Sequence, residues 1–129
     1  MGLKVLLVDD EEDIIEVIQD RLEAYGFVVV TAGSGIEALQ KLAAETFDGV
    51  FLDVKMPEMD GIEALERIRE SNQSIPVILV TSSSSRDAAI EAIAKGANDF
   101  ILKPFEWPEL KLKIEKVYRI KLPEKPRNP

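Results

Sequence analysis

The chain has 129 residues, 46% of them hydrophobic, with 24 Asp and Glu against 16 Lys and Arg and neither Cys nor His. This is enough for one domain with a substantial core, and it excludes thiol chemistry, His-ligated haem, zinc bound through Cys or His, and nucleophilic triads that need His. The net charge of -8 argues against nucleic-acid binding by this chain, which needs clustered Lys and Arg. No apolar run approaches the roughly 18 to 20 residues of a membrane span. Met1-Gly2-Leu3-Lys4 leads into a strand-like stretch without a cleavable signal pattern, so a cytoplasmic protein is the expectation.

In chain order, residues 3–8, 27–31, 49–52, 76–81 and 99–102 read as strands. They are continuous Val, Ile, Leu and Phe rather than alternating, the pattern of parallel strands covered on both faces. Between them Ile15, Ile18, Leu22 and Tyr25 recur at helical spacing, then Ile36, Leu39 and Leu42, then Ile62, Leu65 and Ile68, then Ile90, Ile93 and Ala97. A fifth helix carries Leu110, Ile114 and Val117. Gly26 and Gly96 stand where helices should stop, and Ser34 and Asp60 where they should be capped. The expected fold class is therefore α/β: a (βα)5 doubly wound, five-stranded parallel sheet, strand order 2-1-3-4-5, flavodoxin-like. Residues 1–121 form the domain. Residues 122–129, rich in Pro, read as a C-terminal tail or the start of a linker.

In such sheets ligands bind beyond the carboxyl ends of the strands. Strand one ends in Val8-Asp9-Asp10, strand three in Leu52-Asp53, strand four in Val80-Thr81-Ser82 and strand five in Leu102-Lys103-Pro104, while strand two ends in Ala32-Gly33 with no ionisable group. With strand two at the edge, three carboxylates, a hydroxyl and an ammonium converge. Alone, each has a bland explanation: Asp53 or Lys103 as a solvated loop residue, Thr81 as an ordinary β former. The acids that follow Asp10, Glu11-Glu12-Asp13, read as a helix start complementing the dipole. Together, hard oxygen ligands without His or Cys suit Mg2+, which shares its shell with phosphate, and Lys103 and Thr81 offer a point charge and a hydroxyl donor. Two such carboxylates about 5 Å apart should repel by roughly 3 kcal/mol at an effective dielectric of 20, so either Asp9→Asn or Asp10→Asn should stabilise the metal-free domain.

These residues resemble the receiver domains of response regulators in two-component signalling. The resemblance runs from about Lys4 to about Val117 and rests on Leu6-Leu7-Val8-Asp9-Asp10, the run from Phe51 to Gly61, Val80-Thr81-Ser82, and the run from Gly96 to Phe105. It implies that Asp53 is the phosphoacceptor, that Asp10, Asp53 and the Lys55 carbonyl bind Mg2+ with Asp9 helping through water, that Lys103 and Thr81 contact the phosphoryl group, and that Phe100 is an aromatic switch residue. The phosphoryl group would come from the phosphohistidine of a sensor histidine kinase or phosphotransfer protein, or from a small acyl phosphate. Phosphorylation would switch the surface of the fourth helix, strand five and the fifth helix, including Arg86, Lys95, Asn98 and Lys111, for dimerisation or output. The chain would then catalyse only its own phosphorylation and dephosphorylation.

Three variable features stay open in the sequence: Lys55 and Ser83, whose side chains should face the phosphoryl site, and the isomer of the Lys103-Pro104 peptide. Other classes fit less well. A flavodoxin-like FMN carrier needs a neutral phosphate loop where this chain has Asp-Asp-Glu-Glu-Asp. An aspartyl phosphatase would place a second Asp where Lys55 stands, and no P-loop motif occurs. A receiver-like docking module that is never phosphorylated is the serious alternative.

Overall fold

The computed structural model describes residues 2–56 and 58–125, apart from the side chain of Ser83. Five parallel strands, β1 (Lys4–Val8), β2 (Val28–Ala32), β3 (Gly49–Leu52), β4 (Val77–Ser82) and β5 (Asp99–Lys103), alternate with α1 (Glu12–Ala24), α2 (Gly35–Ala44), α3 (Gly61–Ser71), α4 (Arg86–Ala94) and α5 (Trp107–Tyr118). The sheet order is β2-β1-β3-β4-β5, the order expected above. Strand ends fall within a residue of expectation, and a single 3-10 turn, Ser83–Ser85, joins β4 to α4.

Strand periodicity divides the core into two layers. Val5 and Leu7 of β1, Phe51 of β3, Ile78 and Val80 of β4 and Ile101 of β5 pack on Ile18 and Leu22 of α1 and Leu110 and Ile114 of α5. Leu6, Val8, Val50, Leu52, Val77 and Leu79 pack on Ala38 of α2, on Ala64, Leu65 and Ile68 of α3, and on Ala89 and Ala92 of α4. Burial on both faces is why the strands lack in-out alternation. Ser34 and Asp60 cap α2 and α3 by accepting the amides of Glu37 and Glu63 at 3.1 and 2.9 Å. Gly26 and Gly96 end their helices at φ +97° and +113°, a region that disfavours side chains with a Cβ.

Helix α4 departs from expectation. Ile90 and Ile93 are 50% and 38% exposed, while Ala89 and Ala92 are sealed against the sheet. Each helical residue turns the face by about 100°, so a core face of small residues carries the isoleucines around to solvent. Ile36 on α2 is likewise exposed beside buried Ala38. After α5, Arg119 adopts a left-handed conformation and the chain turns back. Leu122 is buried against the α1/α5 layer, and its amide donates to Glu115 Oε2 at 2.7 Å. Residues 126–129 of the expected tail lie outside the described residues, as do Met1 and Pro57. Among the described residues, no helix is long and apolar enough to cross a membrane.

Candidate functional site

The carboxyl ends of the strands form the site because the backbone ladder continues past them. The Asp9 amide donates to Ala32 O at 3.1 Å and the Asp53 amide to Val8 O at 3.0 Å, which sets the two acidic residues side by side. Beyond Asp53 the chain is drawn tightly over the strand end: the Gly61 amide donates to Val54 O at 2.6 Å. A Cβ at Gly61 would stand 2.1 Å from Asp53 O, so only glycine permits that approach. On the far side, β5 delivers Lys103, followed by a cis peptide to Pro104.

Lys103 reaches across the end of β4, which lies between β3 and β5. Its Nζ is 2.8 Å from Asp9 Oδ2, 3.5 Å from Asp53 Oδ2 and 3.8 Å from Glu11 Oε1. Asp9 and Asp53 are buried, whereas Asp10 lies exposed at the mouth. One oxygen from each of Asp9, Asp10, Glu11 and Asp53 lies within 4.8 Å of the others. The donor set is hard oxygen only, which fits a small divalent cation such as Mg2+.

Burial is the largest influence on Asp53 and pushes its carboxyl above the ordinary range. Lys103 pulls it back, Asp9 raises it further, and the Thr81 hydroxyl and Lys55 amide pull it down, leaving it raised. For Lys103, burial acts first to lower the ammonium, but the Asp9 hydrogen bond and the charges of Asp53, Asp9 and Glu11 outweigh it and leave the pKa raised. The Thr81 hydroxyl is close enough to weigh on Asp53 yet outside strict hydrogen-bonding geometry: Thr81 Oγ1 is fully buried without a partner among the described residues.

The sequence-derived candidates thus divide. Asp9, Asp10, Asp53 and Lys103 meet directly, Thr81 sits beneath them, and Lys55, exposed, lines the same cleft of about 690 Å3 with Ile14, Ile18, Ser82 and Phe105. The Ser83 side chain, expected to face the site, lies outside what is described. Phe100 is elsewhere, half-buried on the α4 side of the sheet with Lys113 Nζ 5.7 Å from its ring centroid. Sequence reasoning gave Glu11 to the helix start; the structure turns its carboxylate into the cluster. It also treated Asp9 and Asp10 alike, whereas Asp9 is bonded to Lys103 and accepts the Glu11 amide at 3.0 Å. Asp9 is an anchor as well as a repelling charge, so the stabilisation expected of Asp9→Asn does not follow. Within the proposed switch surface, Lys95 pairs with Glu66 at 2.9 Å, and Asn98 Oδ1 accepts from the Val77 amide and Arg69, so both also have structural tasks.

A family profile described as "Response regulator receiver domain" matches residues 5–115. The transcriptional regulatory protein ZraR of Escherichia coli (strain K12) is 39% identical over 115 residues, covering 89% of this chain and 26% of that protein. PhoP of Bacillus subtilis (strain 168), an alkaline phosphatase synthesis transcriptional regulatory protein, is 35% identical over 92% of this chain and 50% of its own length. The chain therefore spans about a quarter to a half of these curated relatives. Among solved structures, the Thermotoga maritima response regulator TrrA in complex with Mg(2+)-BeF superposes with a TM-score of 0.81 at 34% identity, covering 89% of this chain and 98% of that one. Vibrio cholerae chemotaxis protein CheY4 gives 0.84 at 33%, over 91% and 99%.

Proposed function

The chain belongs to the response regulator receiver domain family of two-component signalling, whose general role is that of phosphoacceptor, and from that premise we propose that Asp53 is the acceptor here. The observation that carries the proposal is a buried carboxylate 3.5 Å from the Lys103 ammonium and clustered with the carboxylates of Asp9 and Asp10. One Asp53 oxygen attacks the phosphorus of a partner's phosphohistidine or of a small acyl phosphate. An O–P bond forms while the N–P or acyl O–P bond breaks, and the leaving atom departs with the electron pair. Lys103 neutralises charge on the transferring oxygens, and Thr81 supplies a hydroxyl to the new phosphoryl group. Asp10, Asp53 and the Lys55 carbonyl would hold Mg2+, with Asp9 acting through water; when bound, the ion offsets charge between acceptor and donor. Water later cleaves the acyl phosphate, so the chain serves its own phosphorylation and dephosphorylation rather than turning over a separate substrate.

The readout proposed is the α4, β5 and α5 surface. Thr81, drawn towards the phosphoryl group, vacates space near β5 into which Phe100 turns, altering a face used for dimerisation or output. The donor is a sensor histidine kinase or phosphotransfer protein in the cytoplasm. Residues 1–121 act as the receiver unit, with 122–129 as a tail or linker whose first residue, Leu122, is packed onto it. Incubation with acetyl phosphate and Mg2+ followed by intact mass measurement tests the acceptor: one phosphoryl group is expected on the wild type and none on Asp53→Asn. No addition to the wild type sinks the proposal in favour of a pure docking module.

A further inference from the structure

Glu11 has no task in the mechanism above. It stands at the N-cap position of α1 with extended backbone, φ -100° and ψ 107°, but its side chain makes no cap hydrogen bond, whereas Ser34 and Asp60 do. Its amide is tied to Asp9 Oδ1 at 3.0 Å. That bond anchors the backbone beside the cluster, and the carboxylate is turned towards the site. Among the described residues the nearest cation is Lys103 at 3.8 Å, already bonded to Asp9 at 2.8 Å. Glu11 therefore adds a fourth negative charge to a cluster with one ammonium. At rest it opposes its neighbours more than it satisfies anything.

A second observation in the same place points to a ligand: the Thr81 hydroxyl, fully buried and unpartnered among the described residues, lies beside the Asp53 carboxyl. Opposite oxygens around an octahedral Mg2+ lie roughly 4.2 Å apart, and the ion keeps several waters. One oxygen from each of the four carboxylates lies within 4.8 Å of the others, a span comparable to that shell. Asp9 and Asp53 are buried within it, while the Glu11 side chain is 64% exposed at the rim. Asp10, also exposed, is among the residues proposed to hold the ion directly and Asp9 the one acting through water. Glu11 is thus the remaining carboxylate of the cluster, placed at the rim to meet a further metal-bound water.

We propose that Glu11 is a positioning residue for the cation: it accepts a hydrogen bond from water on a divalent ion held by its neighbours. The inference rests on the Asp53 reading and adds a trade-off. The fourth carboxylate tightens the cation while repelling an incoming anionic phosphodonor. Loss of its charge therefore weakens the metal and eases the donor, a pair of opposed effects that a purely structural side chain has no reason to produce.

Calorimetric Mg2+ titration of the wild type, Glu11→Gln, Glu11→Leu and Asp10→Asn tests this, alongside phosphorylation rates at saturating Mg2+ over a range of acetyl phosphate. Glu11→Leu should weaken Mg2+ roughly 10-fold, the lower end for groups acting through a ligand, with Glu11→Gln intermediate because it keeps an acceptor oxygen. Both should lower the acetyl phosphate concentration that gives a half-maximal phosphorylation rate, and both should melt higher than wild type without metal. Mg2+ affinity within twofold of wild type in Glu11→Leu, with Asp10→Asn still impaired, overturns the proposal and leaves the Asp53 reading standing. A wild type that takes neither Mg2+ nor a phosphoryl group overturns both.

Discussion

The site has two halves that differ in how complete they are. At the ends of β1, β3 and β5, Asp9, Asp53 and Lys103 are buried or nearly so, with the Lys103 ammonium 2.8 Å from Asp9 and 3.5 Å from Asp53. At the end of β4 and in the turn after it, the Thr81 and Ser85 hydroxyls are buried without partners among the described residues, and α4 begins with no side-chain cap and keeps Ile90 and Ile93 in solvent. An unpaired buried hydroxyl costs about 1 to 3 kcal/mol. The first half is therefore a settled electrostatic frame, and the second holds bonding capacity that another arrangement can use. A rigid carboxylate frame beside an unfinished loop is a physical basis for a local chemical event to move a distant surface.

The largest expected effect comes from breaking the settled half. Lys103→Met leaves the buried Asp9 and Asp53 carboxylates facing each other without a counter-ion. A fully buried pair broken on one side costs about 3 to 5 kcal/mol. Lys103 keeps some solvent contact, so a loss of about 2 to 3 kcal/mol is expected in urea unfolding, together with loss of phosphoryl transfer. Unchanged stability would show that the frame is not held by charge.

Next comes a pair of substitutions that the sequence treats as equivalent and the structure does not. Asp9→Asn weakens the bond to Lys103 and should lower the melting temperature. Asp10→Asn relieves repulsion at an exposed position and should raise the metal-free stability by up to about 1 kcal/mol, less at high salt. Shifts of the same sign in both variants would erase the distinction. Smaller still is Thr81→Val in the unfinished half. It replaces an unpartnered hydroxyl with a methyl of similar shape, so stability should hold or rise by about 1 kcal/mol. Beryllofluoride with Mg2+ should shift backbone amide signals across residues 82–111 in the wild type and much less in this variant. An equal long-range response would remove Thr81 from the coupling.

Most of the frame was legible because parallel strands announce themselves as apolar runs and their ends carry the ligands. Asp9, Asp53, Thr81 and Lys103 could each be placed by counting to the end of a strand. Glu11 could not, since an acid at a helix start has the same sequence signature whether it caps the helix or turns away from it. The face of α4 departs from the pattern for a related reason: Ile90 and Ile93 carry the strongest hydrophobic signal, but the residues of α4 that pack on the sheet layer are Ala89 and Ala92, with Ala88 beside them. The contrast between Asp9 and Asp10 was hidden too, because burial at a strand end changes completely from one residue to the next.

The smallest effect is a slope in acid, and it reports on the settled half alone, because neither Thr81 nor Ser85 titrates there. Burial first, and Asp9 after it, raise the Asp53 carboxyl against the pull of Lys103. In the window between its unfolded value, near 3.9, and its raised folded value, the native state holds more proton than the unfolded chain. Stability contributed by this group is therefore fully present below the unfolded value and is lost as pH rises through the folded one. A carboxylate with a lowered value, such as Glu37, contributes in the opposite sense, so the Asp53 contribution is isolated by difference. The stability of Asp53→Asn relative to wild type should be greater at pH 7 than at pH 4 in metal-free solution, with the gap closing as acid protonates the wild-type carboxyl. Added Mg2+ should reverse the change at pH 7, because it binds the ionised wild-type cluster and is weakened by the variant. A pH-independent difference between the two proteins would mean that Asp53 is not strained by its burial. The frame would then be held by packing rather than by the balance between Asp53, Asp9 and Lys103.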